Sequence, residues 1–401
     1  MRIAMIGPFG LRPKGTMGAR ALPLARALAA QGYQVAMFLP PWSCPEDSGK
    51  SWEVDGVMVT NVALPASPAG VFHAQLTQRL VQAALAMEPD VIHCFKPKAY
   101  SGLAQSALWS MRQARRWKGR LVVDEDDWEG AGGWNDLERY PWAMRQTFAR
   151  QETWGLRHAD TVTVASRALE TIAWSLGVPP RQVAYIPNGA SESPPAGSAD
   201  AARDRWGLDD APIVLLYTRF FEYRVQRIVD VFTRIHAVAP ETRFLVVGEG
   251  LFGEERELLA RLDHVEPSPY VVYAGWPGDE ALPDIFAAAD VALYPLDDTL
   301  VNRTKSPAKL LQLLGAGVPV VADAVGQATV YVAPGVAGLL VPPCDDVAMA
   351  EAAVDILRDP WRRHAMSAGA RDWVAQHYTW PRLAQRLAAA YQGETPATPL
   401  P

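Results

Sequence analysis

Short apolar runs rich in Val, Ile and Leu recur along this 401-residue chain, each closed by a loop of glycine, proline or acidic residues and most followed by a helical stretch. No other feature limits the fold as strongly. The first series is Ile3–Ile6, Gln34–Leu39, Asp90–Phe95, RLVVDEDDW from Arg120, DTVTVAS from Asp160 and QVAYIPNG from Gln182; the second is IVLLYTR, FLVVGEG, VVYAGW, VALYP, VPVVA and GLLVP. Runs that are apolar throughout and alternate with helices belong to parallel strands covered on both faces. The chain is therefore predicted to be α/β, with two doubly wound, Rossmann-like domains. Ligands of such sheets bind at the carboxyl ends of the strands.

The rhythm breaks at 191–211, SESPPAGSADAARDRWGLDDA, whose proline, serine and aspartate content reads as a linker. This predicts a first domain over 1–190, a second over 212–375, an amphipathic helix over 376–392 and a disordered tail over 393–401. The balance of 38 Lys and Arg against 44 Asp and Glu gives a net charge of −6, which argues against a nucleic-acid partner. Cys44, Cys94 and Cys344 are odd in number and far apart, with neither a disulfide framework nor metal-ligand spacing, so a reduced cytoplasmic setting is expected. The chain enters its first strand at once and holds no 18-residue apolar run, so neither a secretory leader nor a membrane span is expected. The basic cluster Arg112–Arg120 reads as a solvated face, with contact to an anionic membrane surface as the alternative. The 14 tryptophans read chiefly as core, with sugar stacking as their other use.

The densest chemistry lies in Asp290–Pro342, where an apolar run, a polar loop, a short helix and GVPVVA follow one another. Ser306 is predicted as the helix N-cap, Pro307 as its first residue, and Gly315 and Gly317 as its end. Thr304 and Lys305 then sit beside a helix N-terminus, where free N–H groups and the helix dipole favour an anion. Lys309 and Gln312 are three apart and share a face. A phosphorylated ligand is the natural occupant.

The segment SPAKLLQLLGAGVPVVADAVG resembles the donor-sugar segment of retaining GT-B glycosyltransferases, bacterial group 1 type. That family carries two glutamates separated by seven residues; their positions here are Thr304 and Gln312, so neither is acidic. Glutamine still accepts and donates hydrogen bonds but brings no charge. The resemblance covers essentially the whole chain. It implies two Rossmann-like domains facing a cleft, the first for the acceptor and the second for the nucleotide-sugar donor, with the last helix returning to the first domain. It also implies that Gly15 and Gly18, in GPFGLRPKGTMGARAL, approach the donor phosphates and the acceptor, their simpler use being a turn that needs positive φ. Arg219 and Arg224, in YTRFFEYR, take the places of the family's pair of cations for the donor diphosphate, a surface pair with Glu222 being the simpler reading.

Gly248 and Gly250, like Gly275-Trp276, fall at strand ends where backbone groups can meet a nucleobase. In VVDEDDWEGAGGW, five acids (Asp124, Glu125, Asp126, Asp127 and Glu129) lie within six residues, so some must be paired, hydrogen-bonded or shifted in pKa. Relatives have an aspartate-x-histidine-aspartate sequence here, which places Asp126 at the histidine and Asp127 at the following acid. Both are candidates for binding hydroxyls and stabilising positive charge at an anomeric carbon, with a solvated loop or Mg2+ ligation as the other readings. His93 reads as a packed histidine.

Together these residues predict a metal-independent, retaining transferase without a bound cofactor. It would move a sugar from a nucleoside diphosphate sugar, uridine favoured over guanosine, to a hydroxyl of a carbohydrate, lipid or small molecule. A non-catalytic nucleotide-sugar-binding protein of the same fold is the alternative, and an epimerase is a third.

Overall fold

The computed structural model of the chain describes residues 1–12, 15–265, 270–394 and 400–401. The expectation of a disordered tail falls largely outside that set. The chain forms two compact units: Met1–Gly189 with Thr304–Ser306 and Trp380–Leu400, and Ala190–Arg303 with Pro307–Thr379 and Pro401.

The first unit holds β1 (Arg2–Ile6), β2 (Gln34–Leu39), β3 (Ser51–Val54), β4 (Val57–Asn61), β5 (Val91–Phe95), β6 (Arg120–Glu125), β7 (Thr161–Val164) and β8 (Val183–Tyr185). They form one sheet in the order β3-β4-β2-β1-β5-β6-β7-β8, parallel except for the antiparallel β3/β4 pair at its edge. β1 and β5 through β7 are buried almost end to end because helices cover both faces. The strand order reverses between β1 and β5, so the loops after β1, β5 and β6 share one edge of the sheet. The helix Trp380–Gln392 buries Leu383, Leu387 and Tyr391 in this unit's core.

The second unit holds β9 (Ile213–Tyr217), β10 (Arg243–Val247), β11 (Val271–Gly275), β12 (Val291–Tyr294), β13 (Val320–Asp323) and β14 (Gly338–Val341). All pair in parallel in the order β11-β10-β9-β12-β13-β14, the 3-2-1-4-5-6 order of a dinucleotide-binding sheet. The stretch read as a linker contains a helix, Ala199–Trp206. Ser198 Oγ caps it by accepting from Ala201 N–H, and Gly207 ends it in the left-handed conformation. The proline and serine content that marked a linker therefore describes only the approach to this helix.

Candidate functional site

In the second unit, the carboxyl ends of β9, β10 and β11 are stitched together by Thr218 N–H donating to Val247 O (3.0 Å) and Gly248 N–H donating to Gly275 O (2.7 Å). Gly248 has φ +130°, and a Cβ there would fall 1.9 Å from the Thr218 carbonyl oxygen, so only glycine lets the two strand ends approach this closely. Tyr217 and Trp276, at the ends of β9 and β11, lie near parallel with ring centroids 6.1 Å apart. Lys309 Nζ sits 3.5 Å from the Tyr217 ring centroid and 5.0 Å from that of Trp276, and it donates to Thr218 O at 3.4 Å. Tyr217 O–H donates to Gln312 Oε1 (3.2 Å), which turns the Gln312 amide nitrogen into the remaining donor. Gln312 is exposed.

Arg219 is exposed, its guanidinium 5.5 Å from the Phe221 ring. The next residue, Phe220, has φ +68°, a left-handed backbone that bulky side chains rarely adopt and that turns the chain just after Arg219. Arg224 is the N-cap residue of the helix Val225–Val238 and keeps 75% of its side chain exposed; its N–H donates to Asp297 Oδ2 (3.1 Å). Arg227, absent from the sequence reading, is buried and bonded to Asp297, Asp323 and Asp346 at 2.7–3.2 Å. Its fully committed guanidinium is structural, so Arg219 and Arg224 are the exposed arginines of this turn. Gly250 N–H is taken by Glu255 Oε2 (3.0 Å).

The expected helix cap at Ser306 is corrected by the structure. The helix runs Ala308–Ala316 with Pro307 at the N-cap position and no side-chain cap bond. Proline cannot cap, and the Ser306 hydroxyl instead accepts from Asn188 N–H (3.0 Å), while Asn188 Nδ2 donates to Ser306 O (2.6 Å). Thr304 ends a short helix, Leu300–Thr304, where a polar loop was expected, and its carbonyl accepts from Ser166 Oγ (2.5 Å). Thr304, Lys305 and Ser306 are all buried and belong to the first unit, whereas Lys309 and Gln312 belong to the second.

In the first unit, the glycine loop after β1 leads into a wide helical turn of π type, Met17–Ala21, which runs on into the helix Leu22–Ala30. Gly18 does not have positive φ, so the turn explanation fails there. Gly15 O accepts from Gly18 and Ala19 N–H (both 3.0 Å), and a Cβ on Gly15 would press on the Phe9 ring at 3.0 Å. Thr16 Oγ1 donates to Asp126 Oδ2 (2.6 Å), tying this loop to the acidic one. One turn on, the buried Arg20 grips Asp124 with two hydrogen bonds (2.8 and 2.7 Å) and donates to Asn188 Oδ1 (3.2 Å). Asp124 is thereby a structural acid.

The remaining acids surround a lysine that the sequence reading missed. Lys96 Nζ lies 3.2 Å from Asp126, 3.1 Å from Asp127 and 3.1 Å from Glu129, at the place a metal cation would take among them. Burial opposes its charge, but Asp126, Asp127 and Glu129 more than offset this and hold the ammonium well above its usual pKa. Lys98 Nζ adds a bond to Glu129 Oε2 (2.7 Å). Lys96 and Ala99 both have φ +50°, so the backbone of the β5 loop is strained where it delivers the two lysines. Burial, only partly relieved by Lys96, raises Asp127 to about 6, although its side chain keeps 22% exposure. Glu125 is buried with no hydrogen bond to either carboxyl oxygen among the described residues; burial and then the charge of Glu152 push it far up, toward the neutral acid. The signal for Lys96 was there in FKPK, two lysines directly after a strand, but pairing it with the acids requires knowing that β5 and β6 are neighbours.

His93 is packed, as read. It bonds Tyr391 O–H (2.7 Å) and Thr163 Oγ1 (3.2 Å), and burial followed by the charge of Arg20 keeps its pKa well below the usual value, so its 4.0 Å approach to Asp124 is not an ion pair. Ligand atoms of Cys44, Glu46 and Asp47 lie within 4.8 Å of one another, but Asp47 is already paired with Arg12 and Lys50.

A parallel 3-2-1-4-5-6 sheet with a glycine-closed edge, an aromatic pair and cations at its carboxyl ends defines a Rossmann-type α/β unit. Residues 15–189 match the glycosyl transferase 4-like domain, residues 211–359 match glycosyl transferases group 1, and the chain belongs to this glycosyltransferase family. It is 30% identical over 252 residues to a GDP-mannose-dependent alpha-(1-6)-phosphatidylinositol monomannoside mannosyltransferase of Mycolicibacterium smegmatis, a match covering 60% of this chain and 64% of the relative, just under two-thirds of its length. A D-inositol 3-phosphate glycosyltransferase of Stackebrandtia nassauensis is 28% identical, with 95% of this chain and 87% of the relative covered. The fold is that of sucrose-phosphate synthase from Thermosynechococcus elongatus, a GT-B structure, with TM-score 0.74, 24% identity and 98% of each chain covered.

Proposed function

We propose that this chain is a retaining glycosyltransferase that uses a nucleoside diphosphate sugar and an acceptor hydroxyl. The observation that carries this reading is the edge of the second sheet, where Gly248, Lys309, Gln312 and the Tyr217–Trp276 pair converge and Arg219 stands exposed beside them. Forked guanidinium and ammonium donors suit a diphosphate and neutralise the charge that grows on it as it departs. In the proposed step, the bond between the anomeric carbon and the diphosphate oxygen breaks. The acceptor oxygen bonds to that carbon on the same face, and its proton passes to the departing diphosphate. No protein nucleophile is required.

The family's two glutamates are replaced here by Thr304 and Gln312, so neither position supplies a negative charge. Uridine is the base expected from the sequence, and the GDP-mannose in the name of the Mycolicibacterium relative makes guanosine the competing choice. Release of free nucleoside diphosphate from UDP- and GDP-sugars, measured with and without candidate acceptors, tests the reading. Acceptor-dependent release is expected. Tight binding without any release would make the chain a binding protein, and a changed sugar still joined to its nucleotide would make it an epimerase.

A further inference from the structure

In the second unit, the carboxyl ends of β12, β13 and β14 are tied to one buried guanidinium. Arg227 donates from Nη2 to both oxygens of Asp323 (3.2 and 3.1 Å), from Nε to Asp346 Oδ1 (2.7 Å) and from Nη1 to Asp297 Oδ1 (3.0 Å). Asp323, fully buried, also accepts from Leu296 N–H (2.7 Å) and Cys344 N–H (3.0 Å). Three carboxylates outnumber the one guanidinium, and Asp297 turns to a second arginine. Its other oxygen, Oδ2, accepts from Arg224 N–H (3.1 Å) and lies 3.6 Å from Arg224 Nε. One carboxylate thus bridges a buried arginine and an exposed one.

The turn that carries Arg224 does not depend on this carboxylate for its main-chain path. Asp297 N–H donates to Glu222 O (2.9 Å), and Asn302 Nδ2 donates to Glu222 O (2.6 Å) and to Asp297 O (2.8 Å). Arg219, on the same turn, is placed by Thr218 N–H on Val247 O and by Phe220 N–H on Thr218 Oγ1 (2.9 Å). What the Asp297 side chain adds is therefore specific to Arg224. An arginine with 75% of its side chain exposed loses rotamer freedom when it grips a ligand. A carboxylate beside Nε takes up part of that loss in advance. It leaves the two Nη nitrogens, which make no hydrogen bond among the described residues, for an anion. Because Arg227 already occupies Oδ1, Asp297 does not claim the whole fork of Arg224.

We propose that Asp297 is a positioning residue that holds the Arg224 guanidinium at the carboxyl edge of the second sheet, with Arg227 fixing Asp297 in turn. That the anion met there is a diphosphate rests on the function proposed above; the positioning itself does not. The test takes two readings on the full chain. Without nucleotide, NMR relaxation of the Arg224 Nε–Hε bond should show greater mobility in Asp297→Ala than in wild type. With the better of UDP and GDP, calorimetric titration should give a Kd raised about fivefold or more in Asp297→Ala, as expected for contacting residues. That rise should vanish where Arg224→Ala is already present and persist beside Arg219→Ala. A merely structural Asp297 would raise Kd equally in all three backgrounds. Asp297→Asn keeps the shape and removes the charge; it should move both readings in the same direction and carries the test if the alanine variant fails to fold. Unchanged mobility of Arg224 in the folded variants, tighter nucleotide binding, or a rise in Kd that survives Arg224→Ala overturns the proposal. Greater mobility in a chain whose wild type binds neither nucleotide would leave the positioning standing and sink the transferase reading instead.

Discussion

Lys96 Nζ reaches three carboxylates at once, and the titration of Asp127 follows from what one ammonium leaves uncovered. Its pKa of about 6 lies above the ordinary 3.8, so the native chain holds this proton more tightly than the unfolded one. That preference favours the fold below about pH 4 and is lost as pH rises through 6, above which a charged Asp127 is a burden. Asp127→Asn should therefore melt near the wild-type temperature at pH 5 and above it at pH 8; a gain confined to pH 5 would contradict this. Asp126 bonds Thr16 and faces Lys96, so Asp126→Asn keeps the shape and removes charge. The rate constant for transfer should fall while nucleoside diphosphate affinity stays nearly intact, and wild-type turnover would reduce the loop to scaffold. Arg219→Ala should weaken nucleoside diphosphate binding by roughly 1.5–3 kcal/mol, about ten- to more than a hundredfold, as read by calorimetric titration. Unchanged affinity would move the phosphates elsewhere.

Among the elements, the strands were legible because parallel strands buried on both faces are continuous apolar runs, and the carboxyl end of each could be placed before any contact was known. The β3/β4 hairpin was missed even though its signal is strong: SWEV and VMVTN flank Asp55-Gly56, both with positive φ, as a type I′ turn requires. The helix Ala199–Trp206 had its own punctuation in Ser198 and Gly207, hidden by the prolines before it. Ser306 failed as a cap because a serine hydroxyl bonds whichever partner the fold presents, and here that is Asn188, 118 residues away. Site residues that belong to one strand end, such as Arg219 and Gly248, could be read locally. Lys96 depends on which strands are neighbours, and local sequence is silent on that. Gly248→Ala tests the element that closes the carboxyl edge of the second sheet. With φ +130° and the Thr218 carbonyl 1.9 Å from the new Cβ, it should cost about 2 kcal/mol or more in urea unfolding; a neutral result would mean that the β9 and β10 ends need not approach.

For the molecule as a whole, the two units divide the chemistry. The first gathers Asp126, Asp127, Glu129 and Glu152 around two lysines, and the second presents Arg219, Arg224 and Lys309 at its strand ends. The net charge of −6 gives no overall attraction for a diphosphate, so the proposed function requires local cations to hold it. No helix among the described residues is long and apolar enough to cross a membrane, which leaves the basic cluster Arg112–Arg120 as the sequence's one suggestion of a membrane surface. Part of that cluster is engaged within the unit: Arg112 bonds Asp160 and Arg120 bonds Thr161 Oγ1 (2.9 Å). On the proposed function, the strand ends of the second unit grip the nucleoside diphosphate. Hydrogen exchange with and without saturating UDP, and in parallel GDP, tests it most directly. The account predicts slowed exchange at 218–224, 248–250 and 308–312 with the better nucleotide, and unchanged exchange at 124–129. Protection confined to the acidic loop, or none at all under conditions where the nucleotide is bound, would contradict it.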